Sequence, residues 1–365
     1  MTLPSIRLLT NSLADPSSMS RLSLGDWDLL IRLGRSADVL ARLAEACEAA
    51  GLWSLIPPQP AMHLMSAATI ARRQHIELNW EITQIAEALA PVGTGFVLLK
   101  GAAYVKAGML AAKGRMMSDV DILVSMAVLD AVESALMLRG WKSAAKSNYD
   151  QRYYRDWMHE LPPMRHIHRN TVIDVHHAIV PLTARSHPSS ALLLDAAISI
   201  EPGGKIRHLA PVDLVLHSAT HLFHEGELEQ GFRGLVDLDS LLQEFGRSAE
   251  FWQQLVPRAV ALELQKPLFY GLRYAQLMLG TPVPEQIGAA VAAVPGTPKS
   301  QGILACMDFL FLRALRPPHP STSDRWTPVA RWALYLRGHW LRMPPGLLLV
   351  HLTRKLFSPK PTATG

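Results

Sequence analysis

Two aspartates stand two positions apart in an apolar stretch of the chain. Asp119 and Asp121 belong to Ser118–Val124, which reads Ser-Asp-Val-Asp-Ile-Leu-Val. If this stretch is a strand, residues two apart project from the same face. Two carboxylates held that close repel each other unless a cation lies between them. Oxygen ligands of this kind suit Mg²⁺, which binds through one or two carboxylates together with substrate phosphates. The spacing therefore predicts a magnesium site.

A third acid occupies a similar position further along the chain. Asp174 lies between Ile173 and Val175 in the apolar run from 171 to 176, where an acid facing the core would be unfavourable. On a strand beside the first pair it would complete a site for two metal ions. Two such ions activate an attacking hydroxyl and stabilise a leaving pyrophosphate. The alternatives are a solvated loop for the pair and an edge-strand acid facing water for Asp174.

Residues suited to contacting phosphate precede the acid pair. Lys100 and Gly101 follow the apolar run 96–99, and this order predicts a strand-to-helix turn. Glycine lets the backbone approach a phosphate closely, and a helix start offers N–H donors. Arg115 and Ser118 add donors for triphosphate oxygens. Alternatively, Lys100 lies in solvent and Arg115 pairs with a nearby acid.

The elements that must position these residues form an α+β pattern. Residues 1–92 carry helical periodicity and predict an N-terminal helical region. Residues 93–180 predict a small mixed sheet, with strands at 96–99, 118–124 and 171–176 and helices at 101–112 and 126–138. Residues 181–365 predict a C-terminal helical region, with Pro211 in a first helical turn. Residues 141–169 predict a hairpin or lid.

Composition limits the class of protein. The length of 365 residues predicts two or three structural units, because it exceeds the usual size of one domain. Its 49% apolar and 18% charged residues exclude a disordered chain, and a net charge of +5 is compatible with phosphate ligands. Cys47 and Cys306 form no motif, which favours free thiols in a reducing cytoplasm. Neither a secretory signal nor a run long enough to span a membrane is expected.

The order of these residues resembles that of a known superfamily. The residues that carry the resemblance are, in order, Lys100-Gly101, then Arg115-Met-Met-Ser118-Asp119-Val120-Asp121-Ile-Leu-Val, then Ile173-Asp174-Val175-His176. This order resembles the DNA polymerase β-type nucleotidyltransferases, in particular a poorly characterised bacterial family with a Lys-Gly turn. The resemblance implies a nucleotidyltransferase-type sheet and two Mg²⁺ ions on Asp119, Asp121 and Asp174. It also implies a nucleotide triphosphate, with ATP expected, bound near Gly101, from which NMP passes to a hydroxyl or phosphate acceptor.

The chain departs from the superfamily pattern in two ways. Ala102 replaces the serine usual after the glycine, and the interval from Gly101 to Asp119 is longer than in compact members. The resemblance extends more loosely to Arg233 and Asp237, where the family has a similar Arg and Asp. A helix there predicts an i, i+4 contact between these two.

Two further functions stay open. The fold is compatible with a non-catalytic binding or regulatory protein, for instance a toxin–antitoxin component. A metal-dependent hydrolase would use His217 and His221, one helical turn apart, but no acid follows with zincin spacing, and core or capping histidines are the favoured interpretation. His176 shares a strand face with Asp174 and is interpreted either as a residue that orients a metal ligand or as a packed residue.

The C-terminal segment is basic. Residues 311–365 hold nine Lys or Arg and a single acid, Asp324, together with Trp326, Trp332 and Trp340. Three interpretations apply: an exposed helical face of the fold, a nucleic-acid patch, or a helix lying on a membrane surface without spanning it. The acceptor also stays open among small molecules, peptides, glycan intermediates, proteins and tRNA.

Overall fold

A computed structural model describes residues 3–144, 154–155, 157–224, 226, 228–344 and 346. The N-terminal part is helical, as predicted, with α1 Pro4–Ala14, α2 Leu24–Ser36, α3 Leu40–Ala49 and α4 Pro58–Leu89. Local sequence sets these boundaries. Ser23 and Asp26 form a reciprocal capping box at the start of α2, and Pro58 occupies the first turn of α4, where its missing N–H costs nothing.

One mixed sheet positions the acids. Within the described residues its strands are β1 Phe96–Leu98, β2 Asp119–Leu123, β3 Trp141–Ser143, β4 Met164–His166, β5 Val172–His176, β6 Ile198–Ser199 and β7 Ile206–His208. They lie in the order β3-β4-β5-β2-β1-β7-β6, with β2/β5 and β1/β7 parallel and the other pairs antiparallel. The predicted strands are thus present, and β6 and β7 add two from beyond residue 180.

The central strands are buried because their apolar residues are covered by helices on one side. Val120, Ile122, Ile173 and Val175 are each at most 3% exposed. Their side chains alternate along β2 and β5 with those of the acids, so that the acids share the opposite face. The alternation of side chains in the sequence therefore determines the face on which the acids lie.

Two helices connect these strands. They are α5 Lys100–Lys106 and α6 Leu129–Leu138. The helix predicted for 101–112 is wrong in its length, because Gly108 has φ +66° and the chain resumes only as a short 3₁₀ turn at Leu110–Ala112. Helix α6 ends as predicted before Gly140, which has φ +98°.

The predicted hairpin or lid is described only in part. Strands β3 and β4 pair antiparallel, which agrees with a hairpin, and Glu160 pairs with His176 in an isolated bridge on β5. Residues 145–153 and 156 lie outside the described part of the chain, so the lid interpretation stays a prediction.

Further along the described part of the chain, the α-helices with complete bounds are α7 Ser190–Ala196, α8 Pro211–His224, α9 Gly231–Phe245, α10 Ala249–Ala261, α11 Gln265–Leu279, α12 Glu285–Ala293, α13 Gln301–Ala314 and α14 Thr327–Arg342. Helix α8 begins at Pro211, as predicted, and packs against α9 and α11. One apolar cluster continues from α1 through the sheet to α14. The division at residues 92 and 180 stays a prediction.

In the described part of the chain, no helix is both long enough and apolar enough to cross a bilayer. Trp332 and Trp340 are exposed on α14, and Trp326 is exposed directly before it. Residues 345 and 347–365 of the basic segment lie outside the described part, and its contact with a membrane surface stays a prediction.

Candidate active site

The parallel register of β2 and β5 brings the three acids to one face of the sheet. Asp121 is paired with Asp174 across the two strands, and Asp119 lies two residues before Asp121. Asp121 is buried, whereas Asp119 and Asp174 are half-buried. In a parallel pair, residues opposite each other project to the same side. The two strands therefore present Asp119, Asp121 and Asp174 as neighbours at one place.

Asp121 is held by a lysine and a histidine. Its Oδ1 accepts a hydrogen bond of 2.9 Å from Lys100 Nζ and one of 2.9 Å from His176 Nε2. Burial alone would raise the pKa of Asp121, but Lys100 and His176 outweigh it and hold this pKa well below its usual range. Asp121 is therefore ionised at neutral pH.

Asp174 has the opposite character. Burial, and then the negative charge of Asp121, raise the pKa of Asp174 to about 7. Its Oδ1 is buried and has no hydrogen-bond partner within the described residues. A buried carboxylate oxygen without a partner is unfavourable, and a cation would stabilise it. The donor set thus fits a hard divalent ion such as Mg²⁺.

The carboxylate oxygens of the three acids do not form a group within 4.8 Å of one another. The tight group of His, Cys, Asp or Glu donor atoms in the described residues, with all atoms within 4.8 Å of one another, consists of His159, Glu160 and His176. A shared ion on Asp119, Asp121 and Asp174 requires their side chains to turn toward one another from their present rotamers.

The Lys-Gly turn lies directly beside Asp121. The N–H of Leu99 donates to the backbone carbonyl of Asp121 at 3.0 Å, and Lys100 follows with φ +46°, a conformation uncommon for a residue with a side chain. This backbone directs the Lys100 ammonium to Asp121. Lys100, predicted to contact phosphate, is thus placed at the acid cluster.

Gly101 packs closely against two side chains. A Cβ at this position would collide with the Arg115 guanidinium and approach the Met117 Cε to 2.6 Å. The structure therefore explains Gly101 first by close packing, whereas its predicted contact with phosphate stays a prediction.

Arg115 belongs to a buried ion network rather than to an open surface. Its Nε donates to Asp237 Oδ2 at 2.9 Å, and the Arg42 guanidinium donates to Asp237 Oδ1. All three residues are less than 10% exposed. Burial would lower the pKa of Arg115, but Asp237 outweighs it and raises this pKa. The interpretation that Arg115 pairs with an acid agrees with the structure.

The predicted contact between Arg233 and Asp237 is wrong. Arg233 Nη1 donates instead to Asp38 Oδ2 at 2.5 Å. Asp237 faces the inside of the fold, where Arg42 and Arg115 supply its charge partners, and this leaves Arg233 to pair with the loop between α2 and α3.

Ser118 lies at the exposed start of β2. Its hydroxyl donates to Asp119 Oδ1 at 3.0 Å. A small cavity beside it is lined by Gln74 and Glu77 of α4 and by Thr171, whose buried hydroxyl has no hydrogen-bond partner in the described residues. Ser118 and Asp119 therefore border space that a ligand could enter.

The histidines of α8 do not form a metal group with each other in the described residues. Burial, and then the charge of Lys100, lower the pKa of His217 to about 3. Asp121 and His176 also act on His217, so that α8 approaches the acid cluster from the C-terminal part of the chain. His217 is therefore neutral at physiological pH.

Sequence reasoning missed Arg42, His159 and Glu160. Arg42 is one of several arginines on amphipathic helices, and nothing local marks it as the partner of Asp237. His159 and Glu160 precede β4 in an irregular segment, where no periodicity indicates the direction of a side chain. For His176 the sequence did hold a signal, because its position two residues after Asp174 places both side chains on one strand face.

Comparison with known proteins gives one family. A family model described as "Uncharacterised nucleotidyltransferase" matches residues 23–280, which include every acid of the cluster and the Lys-Gly turn. No curated protein matches the chain. Because the matched segment spans well over half of the 365 residues, the chain belongs to this nucleotidyltransferase family.

Proposed function

We propose that the protein is a Mg²⁺-dependent nucleotidyltransferase that moves NMP from an NTP, with ATP expected, to an acceptor hydroxyl or phosphate. The observation that carries this proposal is the pairing of Asp121 with Asp174 in register, next to Asp119 on the same face. Family membership supports nucleotidyl transfer as the reaction class. The unpartnered buried oxygen of Asp174 supports the binding of a cation.

The chemistry is a substitution at the α-phosphorus. An acceptor oxygen forms the new P–O bond, the bond from the α-phosphorus to the bridging oxygen breaks, and pyrophosphate leaves. Bound Mg²⁺ would neutralise the phosphate charge that grows in the transition state. Asp119 and Asp121 would hold both ions, and Asp174 would complete the ion on the acceptor side.

The chain's own residues position the reactants. Lys100, beside Asp121, would contact a triphosphate oxygen once the acids hold cations of their own. Asp174, on the acceptor side, would help to deprotonate the acceptor hydroxyl and pass the proton to solvent. Ser118, exposed at the start of β2, is suited to a further phosphate contact.

A second candidate function has its own supporting observation. Lys100 and His176 both contact Asp121 at 2.9 Å, so protein groups already supply this buried acid with partners. This arrangement is compatible with a protein that binds a nucleotide or partner without turnover.

The test uses the full-length protein with Mg²⁺ and each of the four NTPs labelled at the α-phosphate, against a panel of acceptors and including self-modification. Transfer of label and release of pyrophosphate, both lost in Asp119→Asn, support the enzyme. Nucleotide binding in equilibrium dialysis without pyrophosphate release from any NTP supports the non-catalytic alternative.

A further inference from the structure

The tightest group of metal-ligating donors in the described residues lies next to the acid cluster, not within it. It consists of His159, Glu160 and His176, whose donor atoms are all within 4.8 Å of one another. From this group we infer that the protein holds a transition-metal ion of the zinc class, at a site separate from the Mg²⁺ positions.

The chemistry of the donors selects the ion. Two imidazoles and one carboxylate are the ligand set of many zinc and iron sites, whereas Mg²⁺ favours oxygen ligands alone. The site is also largely closed to solvent, with His159 at 7% and His176 at 2% exposure. Glu160 is half-buried, and three protein ligands would leave a fourth position at the ion for a water molecule or a substrate atom.

The backbone sets these residues in place. Glu160 forms a bridge with His176 on β5, and the N–H of Leu161 donates to the carbonyl of Val175 at 2.9 Å. The rings of His159 and His176 have centroids 5.2 Å apart. The segment around 160 is therefore fixed against β5, and small side-chain rotations are enough to converge the donors.

The distances are close to those that an ion needs. Tetrahedral bonds of about 2.1 Å separate neighbouring ligand atoms by about 3.4 Å. His176 Nδ1 and Glu160 Oε2 are already 3.3 Å apart. Of the remaining pairs, none exceeds 4.8 Å, so each must close by roughly 1.4 Å or less.

Asp121 supplies an independent argument. It accepts the hydrogen bond of His176 Nε2, which leaves Nδ1 directed toward Glu160 as the coordinating atom. Metal-bound histidines almost always donate their other ring N–H to a carboxylate or carbonyl, which orients the ring. Asp121 would thus be a positioning residue for this ion in addition to its proposed role with Mg²⁺.

The test is titration of the chelator-stripped protein with Co²⁺ and Zn²⁺ in millimolar Mg²⁺. The Mg²⁺ occupies any site that consists of oxygen ligands alone. We expect one equivalent of Co²⁺ to bind with the visible absorption bands of a low-coordinate ion, and Zn²⁺ to displace it. His159→Asn and Glu160→Gln should each weaken the affinity at least tenfold. His177→Asn, a buried histidine next to the group, should leave the affinity unchanged.

Asp119→Asn separates this site from the proposed Mg²⁺ site. It should abolish nucleotidyl transfer while leaving Co²⁺ affinity within twofold of the unmodified protein. Loss of Co²⁺ in Asp119→Asn but not in Glu160→Gln would place the ion on the acid pair and overturn the inference. Binding of less than a tenth of an equivalent would also overturn it.

Zinc X-ray absorption on the unmodified protein keeps the inference testable if a variant fails to fold. Two imidazole ligands per bound zinc ion are expected, and a spectrum with none would refute the site. Because these readouts record metal binding alone, their failure is distinguishable from failure of the proposed transferase activity.

Discussion

Asp121 and Asp174 are direct neighbours in the parallel register of β2 and β5, yet their pKa values move in opposite directions. Asp121 is ionised and is held by Lys100 and His176, whereas Asp174 faces the charge of Asp121 without a partner for its buried Oδ1. One carboxylate is therefore held as an anion and the other is ready to exchange a proton for a metal ion. The first two predictions follow from this asymmetry.

Asparagine at position 121 or 174 removes a charged oxygen ligand while keeping the size of the side chain. We expect each variant to lower kcat/KM for nucleotidyl transfer by at least a thousandfold, because phosphoryl chemistry depends on charge neutralisation at this point. Steady-state kinetics with pyrophosphate detection measure the effect. Asp239→Asn, in α9 and hydrogen-bonded to Thr281, is the matched control and should retain activity. Full activity in Asp174→Asn would contradict the proposal.

Mg²⁺ affinity should depend on pH through Asp174. Below its pKa of about 7 this acid holds a proton in the metal-free protein, and Mg²⁺ must displace that proton to bind. Affinity should therefore rise as pH increases from 6 to 8, by up to tenfold per unit below 7, and then level off. Calorimetry in buffers of different ionisation enthalpy counts the released proton. Asp174→Asn should remove the proton release, and a pH-independent affinity in the unmodified protein would count against the assignment.

Lys100 and a divalent ion compete for the same oxygen of Asp121. Lys100→Met removes the ammonium that lies 2.9 Å from Oδ1, so we expect Mg²⁺ to bind more tightly, by about threefold to tenfold. The same variant should raise KM for the NTP, because the phosphate contact is lost. Isothermal titration and steady-state kinetics give the two effects separately. Weaker Mg²⁺ binding in the variant would show that Lys100 supports the metal site instead.

The network of Arg42, Arg115 and Asp237 should be important for stability. Asp237 is 4% exposed, and its removal leaves two buried guanidinium groups without their shared charge partner. Asp237→Ala should lower the free energy of unfolding by about 3–5 kcal/mol. Arg233→Met breaks the more exposed pair with Asp38 and should cost about 1 kcal/mol or less. Urea unfolding measures both, and equal losses would contradict this difference.

His217 should make the protein sensitive to acid. Its pKa is about 3 in the fold and about 6.5 when exposed, so the unfolded chain binds the proton first as pH falls. Its contribution to stability is therefore present above pH 6.5 and is lost on going down toward pH 3, by about 1.4 kcal/mol per unit. Between pH 6.5 and 5, the His217→Gln variant should lose about 2 kcal/mol less of its free energy of unfolding than the unmodified protein loses. Urea unfolding with chelator present measures the difference, and parallel pH profiles would exclude the effect.

The sequence by itself determined the acid-bearing strands and their shared face. Alternation of apolar and acidic residues fixed the direction of Asp119, Asp121, Asp174 and His176, because side chains on a strand alternate with period two. The sequence also determined the start of α8 at Pro211 and the end of α6 before Gly140. Both follow from the backbone conformations that proline and glycine favour.

Only the tertiary structure decided which groups meet those acids. Lys100 reaches Asp121 because β1 pairs with β2, and Glu160 reaches His176 because its segment crosses β5. The partners of Asp237 come from 122 and 195 residues earlier in the chain. A charge pairs with whichever opposite charge is buried beside it, and no local pattern encodes that proximity. Neighbouring residues fixed the helix ends and the face on which each strand side chain lies, whereas the ion pairs depended on the packing of distant segments.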